Sequence, residues 1–182
     1  MGGERDGGVA LTEEFIRTCT DDEALFDALS QEVQRRVPGE LAWDHDGYVA
    51  RMRACPAGLR AMAAVHPLDM SMALSDLGYH FVNWHHRPHN EETLTGLREL
   101  EIPEAAEIFE QACAVVQPQW DTIGQLHDEF EDWYARSDLR RALDPLNGRM
   151  WNLCKRTKLG LLSYWVPYAR KYPGRVVAPP ES

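Results

Sequence analysis

The sequence predicts an all-α fold, a single compact domain of roughly eight to nine helices around a buried central helix. Apolar residues recur three or four apart through most of the 182 residues, and no segment alternates as a half-buried strand does. Prolines and short capping side chains separate these periodic segments. A chain of this length can bury a sufficient apolar core, so the domain is predicted over 11–172, between a flexible tail at 1–10 and an irregular tail at 173–182.

The first helices are predicted from caps and prolines. Thr20-Asp21-Asp22-Glu23 has the spacing of a capping box and predicts a helix that begins there. Short helices are predicted over 48–54 and 57–65, the second ending before Pro67. The central helix is predicted over 68–84, because apolar residues occur there on nearly all sides of the helical wheel.

The second half of the chain contains the clearest amphipathic pattern. The segment His85–His89 contains a proline and predicts a break, with Asn90 capping the helix that follows. Pro103–Val116 has an apolar stripe on one side and glutamates on the other, which predicts a surface helix. Similar spacing predicts one helix over 120–135, and Asp144 before a proline predicts the start of another.

Charge is distributed unevenly along the chain, whose net charge is −10. Residues 91–132 contain twelve acids and one base, Arg98, whereas residues 136–182 contain three acids and ten Lys and Arg. A face of fixed carboxylates can present the charge that Lys and Arg of a DNA-binding protein recognise. The predicted partner-binding residues are the acids on the outer faces of these helices: Glu99, Glu101, Glu104, Glu107, Glu110, Asp121, Asp128 and Asp132.

Residues 74–116, with Ala105-Ala106-Glu107-Ile108, and residues 143–172, with Leu143-Asp144-Pro145-Leu146, form two blocks that resemble the DNA-mimic-protein-19-like family, a helical family also described as a domain of unknown function. The segment 93–112 resembles that family's helix-turn-helix pair, with its Ala-Ala-Glu-Ile second helix. The segment 143–150 resembles its Leu-Asp-x-Leu segment, and 164–172 its closing tyrosine-containing helix. At 74–77 the chain reads Leu-Ser-Asp-Leu where members typically have Asn-Gly-Gly-Phe.

This resemblance implies an all-helical fold, frequent dimerisation and, for the member that names the family, mimicry of DNA toward a DNA-binding regulator. The expected function is therefore that of a non-enzymatic acidic protein that binds a basic DNA-binding protein. A homodimer of this chain is a further expected assembly. A rival interpretation assigns the carboxylates to solubility alone. Direct binding to nucleic acid is a further class, suggested by the basic C-terminal region, but the net charge would repel phosphates. That region is expected to face the acidic part, within the fold or across a dimer.

Enzymatic and metal-dependent functions have weaker support in the sequence. It contains no Gly-rich phosphate loop and no Gly-x-Ser-x-Gly elbow, so no catalytic residue and no cofactor are predicted, although Asp44-His45-Asp46 could orient an imidazole. His80, His85, His86 and His89 raise the alternative of a metal-binding protein. Because the proline in this segment should divide the histidines between a helix end and a loop, no metal site is predicted.

The compartment is inferred from the cysteines and from the start of the chain. The four cysteines form no Cys-x-x-Cys pair, and the first eight residues lack the apolar core of a signal peptide. No segment approaches the length of apolar sequence that a membrane span needs. A cytoplasmic protein with reduced thiols and no membrane partner is therefore expected.

Overall fold

The computed structural model describes residues 10–39 and 44–177, apart from the side chain of His127. Within these residues the chain forms eleven α-helices and no strand, which confirms the all-α prediction. The helices are α1 (Glu13–Thr18), α2 (Asp22–Arg36), α3 (His45–Arg53), α4 (Ala57–Leu74), α5 (Leu77–Asn83), α6 (Arg87–Glu99), α7 (Pro103–Val116), α8 (Trp120–Leu126), α9 (Phe130–Arg136), α10 (Asp138–Cys154) and α11 (Trp165–Lys171). Short 3-10 segments occupy Gln117–Gln119, His127–Glu129, Gly160–Tyr164 and Pro173–Arg175.

The central helix is α4, which contacts α2, α3, α5, α6, α10 and α11. Five consecutive residues at 61–65 are buried, so every side of the helix faces the core. The predicted range of 68–84 is wrong, because α4 continues through Pro67. Proline cannot donate to the carbonyl four residues earlier, but the Tyr48 hydroxyl donates to that carbonyl, on Ala63, at 3.2 Å.

The break in this apolar stretch lies instead between α4 and α5. Asp76 accepts a hydrogen bond from the backbone N–H of Tyr79 at 3.1 Å and so caps α5. The indole N–H of Trp151, on α10, donates to the carbonyls of Met72 and Ser75 at 3.2 and 3.1 Å. These bonds satisfy carbonyls at the end of α4 and make a break possible without a proline or glycine.

Helix α6 lies against α4 at close range. A Cβ placed on Gly96 would be 3.0 Å from the carbonyl oxygen of Ala61, and the Thr93 hydroxyl donates to the carbonyl of Ala64 at 3.1 Å. The pair of helices is further joined by Glu92, which is 4 % exposed in its side chain and accepts from Arg60 at 2.6 Å. This packing leaves the end of α6 and the start of α7 at the surface, where the predicted acidic face lies.

The predicted starts of three helices are wrong, because in each case a different side chain caps the first turn. Asp21 rather than Thr20 caps α2, through the N–H groups of Glu23 and Ala24. Asn90 lies inside α6, whose cap is His86, and Asp144 lies inside α10. The cap of α10 is Ser137, which accepts from the N–H of Arg140.

The helix predicted over Pro103–Val116 has these bounds in the structure. The helix predicted over 120–135 is instead two helices, α8 and α9, joined by a 3-10 segment. Of the predicted tails, 1–9 and 178–182 lie outside the described residues. Residues 173–175 form a 3-10 turn, and Val176 is fully buried in the core, so ordered packing extends past the predicted domain end at 172.

Candidate partner-binding surface

Five of the eight predicted carboxylates lie on the end of α6, on α7 and on the turn between these helices. Each of the five side chains forms an ion pair within the chain. The pairs and their nitrogen-to-oxygen distances are Glu99–Arg175 at 2.6 Å, Glu101–Lys171 at 2.7 Å, Glu104–Arg156 at 2.7 Å, Glu107–Arg149 at 3.1 Å and Glu110–Arg98 at 2.9 Å. We call these the paired carboxylates.

Four of the five cations come from the basic C-terminal region, on α10, on α11 and just beyond each of these two helices. The expectation that this region faces the acidic part within the fold is therefore confirmed. Exposed ion pairs of this kind contribute little stability each, about 0–1 kcal/mol. Their consequence for function is larger, because each pair cancels a negative charge on the predicted face.

Glu101 occupies an unusual backbone position in the turn between α6 and α7. Its φ of 59° is in the left-handed region, which usually favours glycine at the residue after a helix. The turn is closed by the N–H of Ile102, which donates to the carbonyl of Leu97 at 3.0 Å. Hydrogen bonds from Lys171 and Tyr172 hold the pKa of Glu101 below its ordinary value. The side chain thus links this turn to the end of α11.

The next carboxylate along the face is held in the same way. The Arg156 guanidinium donates to both carboxylate oxygens of Glu104, at 2.7 and 3.0 Å. This two-pronged hydrogen bond lowers the pKa of Glu104. The side chain of Glu104 therefore stays ionised and engaged by a cation of its own chain.

The other three predicted residues, Asp121, Asp128 and Asp132, have a different environment. Among the described residues none of these carboxylates forms an ion pair, and all three residues are exposed. Sequence reasoning missed two neighbours, Glu129 and Glu131, which are also exposed and free of ion pairs in the described part of the chain. Both lie in the acid-rich stretch of the sequence, but the single helix predicted over 120–135 does not place them on its outer face. We call these five the free carboxylates.

Three of the five free carboxylates border an open groove with a volume of about 620 Å³. Asp128, Glu129 and Asp132 line it, together with the half-buried ring of Trp133. Arg136 also lines the groove, but its guanidinium donates to the main-chain carbonyl of Asp132 at 3.0 Å, and among the described side chains it forms no ion pair with these carboxylates. An acidic rim beside an aromatic face is a suitable environment for a cationic side chain.

The four clustered histidines are separated by the fold. His80 and His89 are fully buried between α4, α5 and α6, and burial lowers the pKa of both rings, that of His80 to about 4. His85 stacks on Trp120, at 4.1 Å between ring centroids, and His86 faces Asp46. In the described residues no group of three or more His, Cys, Asp or Glu is arranged to hold a metal ion.

The Asp44-His45-Asp46 segment forms the start of α3. Asp44 caps α3 by accepting from the N–H of Gly47 at 3.0 Å. The His45 ring stacks on Trp84, with centroids 5.5 Å apart, and burial lowers its pKa. Asp46 pairs with His86, so neither carboxylate orients the His45 ring toward an open site.

No helix among the described residues combines the length and the apolar character that crossing a lipid bilayer requires. Comparison with curated proteins and with solved structures finds no match. The family model described as DMP19-like protein matches residues 53–171, which include α4 to α11 and every predicted partner-binding residue. A match over more than half of the chain identifies the family, and the protein belongs to the DMP19-like protein family.

Proposed function

We propose that this protein is a non-enzymatic DNA mimic, which binds a basic DNA-binding protein or transcriptional regulator through the free carboxylates of α8, of α9 and of the 3-10 segment between them. Membership of a DNA-mimic family supports a protein partner of that class. The net charge of −10 favours a basic protein over nucleic acid as the binding partner.

The observation that carries the proposal is the contrast between the free and the paired carboxylates. A carboxylate already bonded to Arg156 or Lys171 shares its charge with that cation, so a basic partner meets less net negative charge there than at a free carboxylate. Residues 120–136 contain five acids and a single Lys or Arg, Arg136, and none of the five acids forms an ion pair in the described structure. Lys and Arg that normally contact phosphates could approach these acids directly.

A pull-down from the native host followed by DNA competition tests this function. The immobilised protein should capture a DNA-binding protein, release it as salt rises, and lose it to that protein's own DNA. The triple change Asp121→Asn, Asp128→Asn and Asp132→Asn should weaken the complex by about tenfold or more, because it removes three unpaired charges.

The paired carboxylates provide a control with the same change in net charge. The triple change Glu104→Gln, Glu107→Gln and Glu110→Gln should weaken the affinity for the captured protein less than the first triple change does, since these carboxylates share their charge with cations and none of them lines the groove. Equal losses in the two triple variants would show that only the net charge matters. A captured partner that binds both variants as tightly as the wild type would exclude the acidic surface as the binding site.

A further inference from the structure

Helix α6 begins with an unusual cap. His86 has extended backbone angles, φ −146° and ψ 108°, and its ring Nδ1 accepts a hydrogen bond from the backbone N–H of His89 at 3.3 Å. Ser, Thr, Asp and Asn are the usual residues here, because their oxygens accept this bond at every pH near neutrality. An imidazole accepts it only while the nitrogen concerned carries no proton.

The second ring nitrogen identifies the protonation state of this histidine. Nε2 of His86 lies 2.9 Å from a carboxylate oxygen of Asp46, on the first turn of α3. A carboxylate can only accept, so Nε2 carries a hydrogen, and a backbone N–H can only donate, so Nδ1 carries none. The contacts therefore require the neutral ring with its hydrogen on Nε2.

A proton added to Nδ1 would place two N–H groups against each other and remove the cap. The same proton would convert the contact with Asp46 into an ion pair, although that carboxylate is 94 % exposed and its attraction is screened by water. The other charged or titratable groups around the ring are His45 of α3, whose ring centroid is 5.5 Å away, and His85, Arg87 and His89 of the same segment. All four are neutral or positive, so none of them stabilises a positive charge on the His86 ring.

The start of α6 also holds other parts of the fold together. The buried His89 ring stacks on Trp84 with centroids 4.3 Å apart. One residue on from Trp84, His85 stacks on Trp120 at the start of α8, and the Arg87 guanidinium lies 4.8 Å from the centroid of the same indole ring. The residues on both sides of the cap therefore contact the start of α8.

We infer that His86 is a proton-sensitive switch at the start of α6: the neutral ring caps the helix, and the protonated ring exchanges the cap for an ion pair with Asp46 and loosens the first turn. This inference is independent of the proposed binding to a DNA-binding protein. It concerns the whole chain as it folds, and needs no ligand for its test.

Nuclear magnetic resonance of the full chain tests the switch. At about pH 8, long-range proton–nitrogen spectra should show His86 as the neutral form with its hydrogen on Nε2. Between about pH 8 and about pH 5.5, the exchange protection of the His89 amide, corrected for its intrinsic rate, should fall about fivefold. Its midpoint should equal that of the His86 ring. The buried rings of His80 and His89 stay neutral in this range, because burial lowers the pKa of each.

Two variants separate the cap from the ion pair. His86→Asn keeps a cap that does not titrate, so protection of the residue 89 amide should no longer depend on pH. Asp46→Asn removes only the carboxylate and keeps the imidazole cap, so the fall in protection should remain. A ring with its hydrogen on Nδ1 at high pH would overturn the inference. A wild-type ring that titrates while the protection of the His89 amide stays constant would do the same, and this result needs no variant.

Discussion

His80 has a hydrogen-bonding environment that makes stability depend on pH. Its Nδ1 lies 3.2 Å from the hydroxyl oxygen of Ser71, and that hydroxyl donates its own hydrogen to the carbonyl of Pro67. Nδ1 is therefore the donor, and the buried Nε2 has no partner among the described residues. With no acid to compensate a charge, burial lowers the pKa of His80 to about 4.

We expect stability to fall as pH decreases from about 6.5, the ordinary pKa of histidine, toward about 4. The sign follows because the unfolded chain binds the proton first, while the folded ring stays neutral until about pH 4. The free energy of unfolding should decrease by about 1.4 kcal/mol per pH unit for each such histidine in the middle of this window. Urea unfolding at several pH values measures the slope.

His80→Asn retains a donor toward Ser71 and removes the titration. Its slope of unfolding free energy against pH should be lower than that of the wild type by about one histidine's contribution. The buried His89 should account for part of the remaining slope, since its pKa is also lowered by burial. Parallel slopes for the wild type and the variant would contradict the assignment.

Helix α9 packs against the start of α5 through the side chain of Tyr134. The Tyr134 hydroxyl donates to Asp76, the cap of α5, at 3.1 Å, and the Tyr134 ring lies directly over Gly78. A Cβ on Gly78 would be 2.3 Å from the ring carbon that bears the hydroxyl. The position of α9, and of the free carboxylates on it, therefore depends on the absence of a side chain at Gly78.

Gly78→Ala should destabilise the fold by about 1–3 kcal/mol, because the buried ring must move to admit a methyl group. Gly148→Ala is the matched control on α10, where an added Cβ meets no atom within 4 Å. That change should stabilise the protein by about 1 kcal/mol, as alanine exceeds glycine in helix propensity. Thermal unfolding of both variants measures the difference, and destabilisation of similar size in both would contradict the close contact.

Across the whole molecule, the basic C-terminal region neutralises one part of the acidic surface and leaves another part free. Arg156 engages Glu104, whereas the neighbouring Lys155 forms no ion pair in the described part of the chain. Both residues are exposed. These two cations allow the effect of pairing to be separated from the effect of net charge.

If the proposed acidic surface binds a basic protein, Arg156→Gln should tighten binding more than Lys155→Gln does. Each change removes one positive charge, but only the first frees a carboxylate, that of Glu104, from its ion pair. We expect a difference of about twofold to threefold, the size of one exposed charge interaction. Titration calorimetry with the captured partner, or with a nona-arginine peptide as a cationic probe, measures it. Equal affinities would mean that pairing does not mask Glu104.

The helical class, the helix at Pro103–Val116 and the acid-rich stretch could all be predicted from the sequence, because they rest on local spacing and composition. Helix ends were predicted less well. The cap at His86 depends on a hydrogen bond from the N–H of His89, and the continuation of α4 through Pro67 depends on the distant Tyr48. Residue preferences alone favour other caps and a break at the proline.

The sequence by itself determined that this protein is helical, strongly acidic in one stretch and a member of the DMP19-like protein family. Only the tertiary structure decided which carboxylates keep an unpaired charge. Glu99 meets Arg175 across 76 residues and Glu104 meets Arg156 across 52, and such pairs form only when packing brings the ends of α6, α10 and α11 together. Helical periodicity reports which face a side chain is on, but it holds no information about the cation opposite that face.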